Sequence, residues 1–242
     1  MNSPAADAVA EGKRRLRAAV RALLSRGVWC VIGAQLLLFV LWSESFAGDE
    51  GANRVGVLVL AFGLAAFLYL TAGVSQALAN TRDAVGLRAA LRAGVSSYGP
   101  FLWMIAKLAL LCGLLLNLVL LFSGVKPGGQ PPTWSENVLR YLPLAEGMIA
   151  FVFVYWLPIV FVRRNFALFD SLRAALVTGW ERLPRAAYPA FLTLTPAVLT
   201  FLTDASTPLL GLLVLNLVGG FMDWIAYIFC VEWLQDQNPA PD

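Results

Sequence analysis

Apolar residues along the chain gather into six long runs: Gly27–Trp42, Val55–Ala77, Phe101–Phe122, Val138–Val162, Ala187–Thr203 and Leu209–Trp233. A helix needs about 20 such residues to cross the hydrocarbon core of a bilayer. Most of the runs meet that length, and none shows the short alternating pattern of a membrane barrel strand. The pattern therefore predicts an all-α integral membrane protein with six transmembrane helices. Between runs three and four, Pro127, Gly128, Gly129, Pro131 and Pro132 mark an irregular external loop. Ser45-Phe46-Ala47 has the small residues of a signal-peptide cleavage site. The stretch ahead of the first run is long and itself amphipathic, which favours a retained first span.

Three basic, amphipathic stretches precede the odd-numbered runs and predict interfacial helices on one side of the membrane. In Lys13–Arg26 the residues Leu16, Val20, Leu23 and Leu24 recur at helical spacing, with Arg14, Arg17 and Arg21 on the opposite face. In Thr81–Val95 the apolar face is Ala84, Leu87, Leu91 and Val95, with Arg88 and Arg92 on another. Pro100 then suits the first turn of the following helix, where a missing amide costs little. The third stretch opens at Arg163-Arg164, contains Arg173, and carries the stripe Phe166, Phe169, Leu172, Leu176, Trp180 and Leu183. The phrase Leu-Arg-Ala-Ala plus an aliphatic residue occurs once in each, at Leu16–Val20, Leu87–Leu91 and Leu172–Leu176. Its placement predicts a three-fold tandem repeat of interfacial helix plus hairpin, with units at about 13–80, 81–162 and 163–235. Residues 1–12 read as a disordered N-terminus, residues 13–235 as one membrane domain, and residues 236–242 as a tail.

Composition agrees with the pattern. Of the 242 residues, 59% are hydrophobic and only 14% charged, against about 25% charged in soluble domains. Charge matters more by position than by sum. Fourteen of the 18 Lys and Arg fall in the three basic stretches, which places those stretches, and both termini, on the cytoplasmic side. That makes the chain a multi-pass protein of a bacterial cytoplasmic (inner) membrane. Juxtamembrane arginines at this spacing fit anionic lipid headgroups, not nucleic acid. There is no histidine, which excludes imidazole bases and His-ligated metals. Cys30, Cys112 and Cys230 all lie in apolar runs without paired spacing, as free core thiols do.

Charges within the bilayer are costly, by roughly 2.5–3.5 kcal/mol on insertion scales, and so become functional candidates. Lys107, Glu146 and Asp223 qualify. Lys107 lies about 10 Å into run three and Asp223 about 15 Å before the end of run six, at 1.5 Å per residue. Those depths predict a Lys107–Asp223 pair. Glu146 follows Pro143 and adjoins Gly147, with no basic partner at matching depth. In run five, Thr193 and Thr200 share a face with Pro196 between them, a set that can line a polar path. No nucleophile–base set, paired carboxylates or phosphate-binding glycine loop is present, so the protein is expected not to be an enzyme and to need no cofactor or metal.

In layout, Leu87–Gly94 followed by Pro100-Phe101, and Leu172–Gly179 followed by Pro189, resemble uncharacterised bacterial six-pass membrane proteins with repeated interfacial helices. The resemblance implies this architecture and no particular site residues. The second and third basic stretches are also similar in position to the coupling helices of ATP-driven permeases. Arg88-Ala89-Ala90 and Arg173-Ala174-Ala175 stand where those proteins carry Glu-Ala-Ala. Two functions follow as expectations. One is a non-catalytic accessory or scaffold subunit. Its surface of Arg14, Arg17, Arg21, Arg88, Arg92, Arg163, Arg164 and Arg173 would bind anionic lipid, a protein partner or a further copy. The other is a transporter or permease-like subunit for a small solute, with or without a separate ATPase.

Overall fold

Continuous apolar runs with few breakers leave the backbone little choice but to pair its amides within helices, and short turns alone interrupt them among the described residues. The structure is a computed structural model that describes residues 4–46, 54–122, 134–181, 183–203 and 207–237. These form α1 (Pro4–Leu24), α2 (Arg26–Phe46), α3 (Arg54–Asn80), α4 (Leu87–Phe122), α5 (Trp134–Arg163), α6 (Leu168–Glu181), α7 (Leu183–Phe201) and α8 (Leu209–Gln237). Among the described residues there is no strand. The proline- and glycine-rich loop expected at 127–132 lies outside the described residues. Helices α2, α3, α4 and α8 are each long and apolar enough to cross a membrane. Gly147–Arg163 of α5 passes the same test only together with Leu168–Val177 of α6, across a bend of 114°. Ala187–Phe201 of α7 is a shorter apolar helix.

Helix α3 lies along α4, while α5, α7 and α8 pack on one another; α2 joins the two groups through α3 and α8. Small residues set the close crossings. The Cα of Gly73 in α3 sits so near the Ala90 carbonyl of α4 that a methyl group would have no room, and Gly147 in α5 meets Ala197 of α7 in the same way. The densest packing is at one end of the bundle, where Val28–Ile32, Ala72–Leu78, Trp156–Phe161 and Trp224–Leu234 interlock. Towards the other end, apolar side chains such as Leu110, Leu114 and Leu210 face outward, as lipid-facing residues do.

Three sequence expectations change here. Helix α1 begins at Pro4, so it takes in most of the stretch whose composition reads as disordered. The second interfacial helix does not exist as a separate element. Residues 81–86 are irregular, and α4 then runs unbroken for 36 residues through Pro100. Tertiary packing overrides the proline: Phe101 and Met104 are buried, Phe101 against Phe161 of α5 at 5.6 Å between ring centres. At about 1.5 Å per residue α4 is about 54 Å long, well beyond a 30 Å hydrocarbon core. The third interfacial helix is a distinct element, α6. Arg164, at φ 50°, turns the chain out of α5, and the Asn165 amide closes onto the Val160 carbonyl at 3.0 Å. Trp156 Nε1 then donates to Ser171 Oγ at 2.8 Å, holding α6 against α5.

The three Leu-Arg-Ala-Ala copies do not sit alike. The copies in α4 and α6 expose Arg88 and Arg173 and bury their fourth residue, Ala90 and Ala175; the copy in α1 buries its third, Ala18. On a helix one residue is about 100° of rotation, so the first copy turns a different face inward.

Candidate functional site

Hydrogen bonds and ion pairs between separate helices concentrate at the densely packed end. Helix α3 stops at Asn80, leaving its last carbonyls without intrahelical partners. Arg21 of α1 supplies them. Its Nε donates to the Asp83 carbonyl at 2.9 Å, and its Nη2 to the carbonyls of Leu78, at 2.7 Å, and Thr81. A cation at a helix C-terminus also complements the helix dipole. Gln235 of α8 covers the next carbonyl, Ala79, at 2.8 Å. Ser25, fully buried between α1 and α2, donates to the Arg21 carbonyl at 2.7 Å and accepts from the Val85 amide at 2.9 Å. One buried node thus ties α1, α2, α3 and the 81–86 turn together.

Helix α8 brings two carboxylates to the same node. Arg21 Nη1 lies 3.7 Å from Glu232 Oε1, and Arg17 Nε 4.0 Å from Glu232 Oε2. Asp236, one turn on, is bridged by Arg14 at 3.0 Å and Arg82 at 3.1 Å. Glu232 is 2% exposed, and neither of its oxygens accepts a hydrogen bond among the described residues. Burial pulls the Arg21 pKa below its ordinary value, with Glu232 opposing the shift.

Helix α1 therefore turns its Arg14–Arg21 side onto the protein and its aliphatic side outward. Arg21, expected on the outer surface, is buried, and Arg14 is largely enclosed between Glu11 and Asp236. Leu16, Val20, Leu23 and Leu24 are exposed. Arg17 stays half-exposed, and Arg88, Arg92, Arg163, Arg164 and Arg173 face outward. Arg164 reaches Asn80 Oδ1 at 3.2 Å, so α5 ends beside the end of α3. Arg15 lies over the Tyr188 ring at 4.6 Å, which brings the start of α7 to the same level. A groove of about 500 Å³ opens between α1 and the turn, with Arg82, Asp83 and Ala84 as its far wall. On α1 it is lined by a basic row, Lys13, Arg17 and Arg21, beside an apolar row, Leu16, Val20 and Leu24.

Comparison with protein-family models, with curated proteins and with solved structures finds no match in any of the three.

Lys107 and Asp223 are not brought together. Lys107 is exposed on α4, its Nζ 5.2 Å from the centre of the Trp103 ring, whereas Asp223 lies on α8, and α4 and α8 do not touch. The expected Lys107–Asp223 pair is absent because equal depth does not make helices neighbours. Asp223 is half-buried and makes no ion pair among the described residues. The Glu146 side chain lies outside the described residues. Thr193 donates to the Pro189 carbonyl at 3.0 Å and Thr200 to the Pro196 carbonyl at 2.9 Å, so both hydroxyls bond their own helix. Among the described residues no three His, Cys, Asp or Glu are grouped as a metal site.

Sequence reasoning misses Glu232, near the end of the last apolar run, and Asp236, in the stretch that reads as a tail. A signal is present: carboxylates at i and i+4 on α8 match arginines at 14, 17 and 21 on α1.

Proposed function

We propose that the protein is a non-catalytic accessory or scaffold subunit that crosses a bacterial cytoplasmic membrane six times, with both termini in the cytoplasm. The observation that carries this reading is the outward basic face at one end of the bundle, where Arg17, Arg88, Arg92, Arg163 and Arg173 stand beside exposed Leu16, Leu91, Phe169 and Leu176. Near an anionic leaflet each such cation contributes roughly 1 kcal/mol. Helices α2, α4 and α7 start at this end and α3, α5 and α8 finish there, an order that suits three out-and-back hairpins. The like placement of Leu87–Leu91 and Leu172–Leu176 supports a repeat of the second and third units.

Mild extraction into native nanodiscs, followed by identification of co-purifying proteins, tests the reading. A stoichiometric membrane partner is expected, with its recovery reduced by Arg88→Gln, Arg92→Gln and Arg173→Gln together. Purification alone, with solute uptake into liposomes that Asp223→Asn or Glu146→Gln abolishes, would instead establish a transporter.

A further inference from the structure

The groove beside α1 has the two surfaces that a phospholipid requires, and they run side by side. Residues 13, 17 and 21 are spaced by four along α1, as are residues 16, 20 and 24, so a cationic row and an aliphatic row run side by side, each about 12 Å long at 1.5 Å per residue. That length matches much of one acyl chain. At the open edge Lys13 is exposed, and the Arg17 and Arg82 side chains are 50% and 55% exposed. Each of those two arginines spends only part of its donor fork on a carboxylate, Arg17 at 4.0 Å from Glu232 and Arg82 at 3.1 Å from Asp236. A guanidinium has five N–H donors, so donors remain for a phosphate oxygen. Arg21 closes the inner wall, its charge matched there by Glu232 at 3.7 Å.

The apolar row is left uncovered by the protein: Leu16 is 68%, Val20 45% and Leu24 62% exposed. Leu23, next to Leu24, and Trp29, in the first turn of α2, are exposed as well. An acidic, hydrophilic peptide would match the charge but not this aliphatic row. A zwitterionic lipid would match the row but bring its own cation towards Lys13 and Arg17.

We propose that this groove is a binding site for one anionic phospholipid, its phosphate held between Lys13, Arg17 and Arg82 and one acyl chain laid along Leu16, Val20 and Leu24. The assignment rests on the membrane-embedded reading above and not on the identity of any partner protein.

Native mass spectrometry of the full-length protein in detergent tests it, using dioctanoyl phosphatidylglycerol as the probe. Dioctanoyl phosphatidylcholine and inorganic phosphate serve as controls. The expected result is saturable retention of one phosphatidylglycerol, little phosphatidylcholine, and no displacement by phosphate at matched concentration. Arg17→Gln with Arg82→Gln should weaken binding by roughly tenfold or more, since each cation is worth about a factor of five near a lipid phosphate. Because both arginines also touch α8 carboxylates, a second variant keeps every charge: Val20→Trp fills the groove at an exposed position and should lower retention just as far. Equal retention in wild type and Val20→Trp would overturn the proposal. So would equal binding of phosphatidylcholine, and displacement by phosphate would convert the site to a free-anion site. Lipid counts are independent of co-purification, so this site can fail while the subunit reading stands, and the reverse.

Discussion

Arg21 of α1 and Glu232 of α8 face each other at 3.7 Å, separated by 211 positions in the chain and both almost fully buried. Arg21 is anchored by three carbonyls, one in the last turn of α3 and two in the turn that follows it, whereas Glu232 depends on arginine charge alone. The two partners are therefore unequal.

That inequality makes Arg21→Ala the more damaging change. It strips the α3 terminus and leaves a buried carboxylate facing only Arg17, which should lower stability by about 3–5 kcal/mol. Glu232→Gln should cost less, because Arg21 keeps its carbonyl acceptors. Unfolding in mixed micelles ranks the two variants; a larger loss for Glu232→Gln would contradict the anchoring.

Close crossing of α3 and α4 depends on Gly73. Gly73→Ala drives a methyl group into the Ala90 carbonyl, and overpacking of this kind costs about 1–3 kcal/mol. Gly33→Ala, whose added methyl group meets nothing within 4 Å, should be neutral or stabilising by up to about 1 kcal/mol from helix propensity. Thermal unfolding of both variants in one detergent separates packing from propensity.

Lys107 and Asp223 should behave independently. A double-mutant cycle with Lys107→Ala and Asp223→Asn is expected to be additive within about 0.5 kcal/mol. Coupling of about 1 kcal/mol or more would mean that α4 and α8 meet after all.

Trp156 and Ser171 should not be independent. Their buried bond at 2.8 Å is the tie that keeps α6 folded back on α5. Ser171→Ala should cost about 1–3 kcal/mol, since it leaves the buried Trp156 Nε1 donor unpaired. Loss of the bond in Trp156→Phe leaves Ser171 Oγ still donating to the Leu168 carbonyl at 3.0 Å, and the double variant should cost less than the sum of the two. Limited proteolysis in the 164–167 turn offers a second readout, with faster cleavage expected in either single variant.

Sidedness can be read by cysteine labelling after Cys30, Cys112 and Cys230 are replaced. Arg88→Cys and Arg173→Cys should react with an impermeant maleimide only in opened cells, and Gly128→Cys in intact ones. The opposite pattern would invert the orientation set by the basic stretches.

Much of the architecture is legible in the order of residues alone. Long apolar runs must be helices, because a backbone in lipid has no other partner for its amides. Accordingly α2, α3 and α8 begin within a residue of the runs that predict them. The amphipathic period likewise marks two distinct faces on α1. Which face meets protein does not follow from the period, since the aliphatic side can face lipid and the arginine side can bury itself against carboxylates. Only packing against α8 decides that, and with it the partners of Arg14, Arg17 and Arg21. The same limit separates Lys107 from Asp223: sequence position sets depth along a helix, but neighbours are set by which helices touch. Pro100 shows the limit for local signals. Its missing amide argues for a helix start, yet the burial of Phe101 and Met104, with Phe101 against α5, carries α4 through it. Chain chemistry alone thus determined the helices and the basic face. Tertiary contact chose how α1 is turned, which arginines remain free, and where the groove lies.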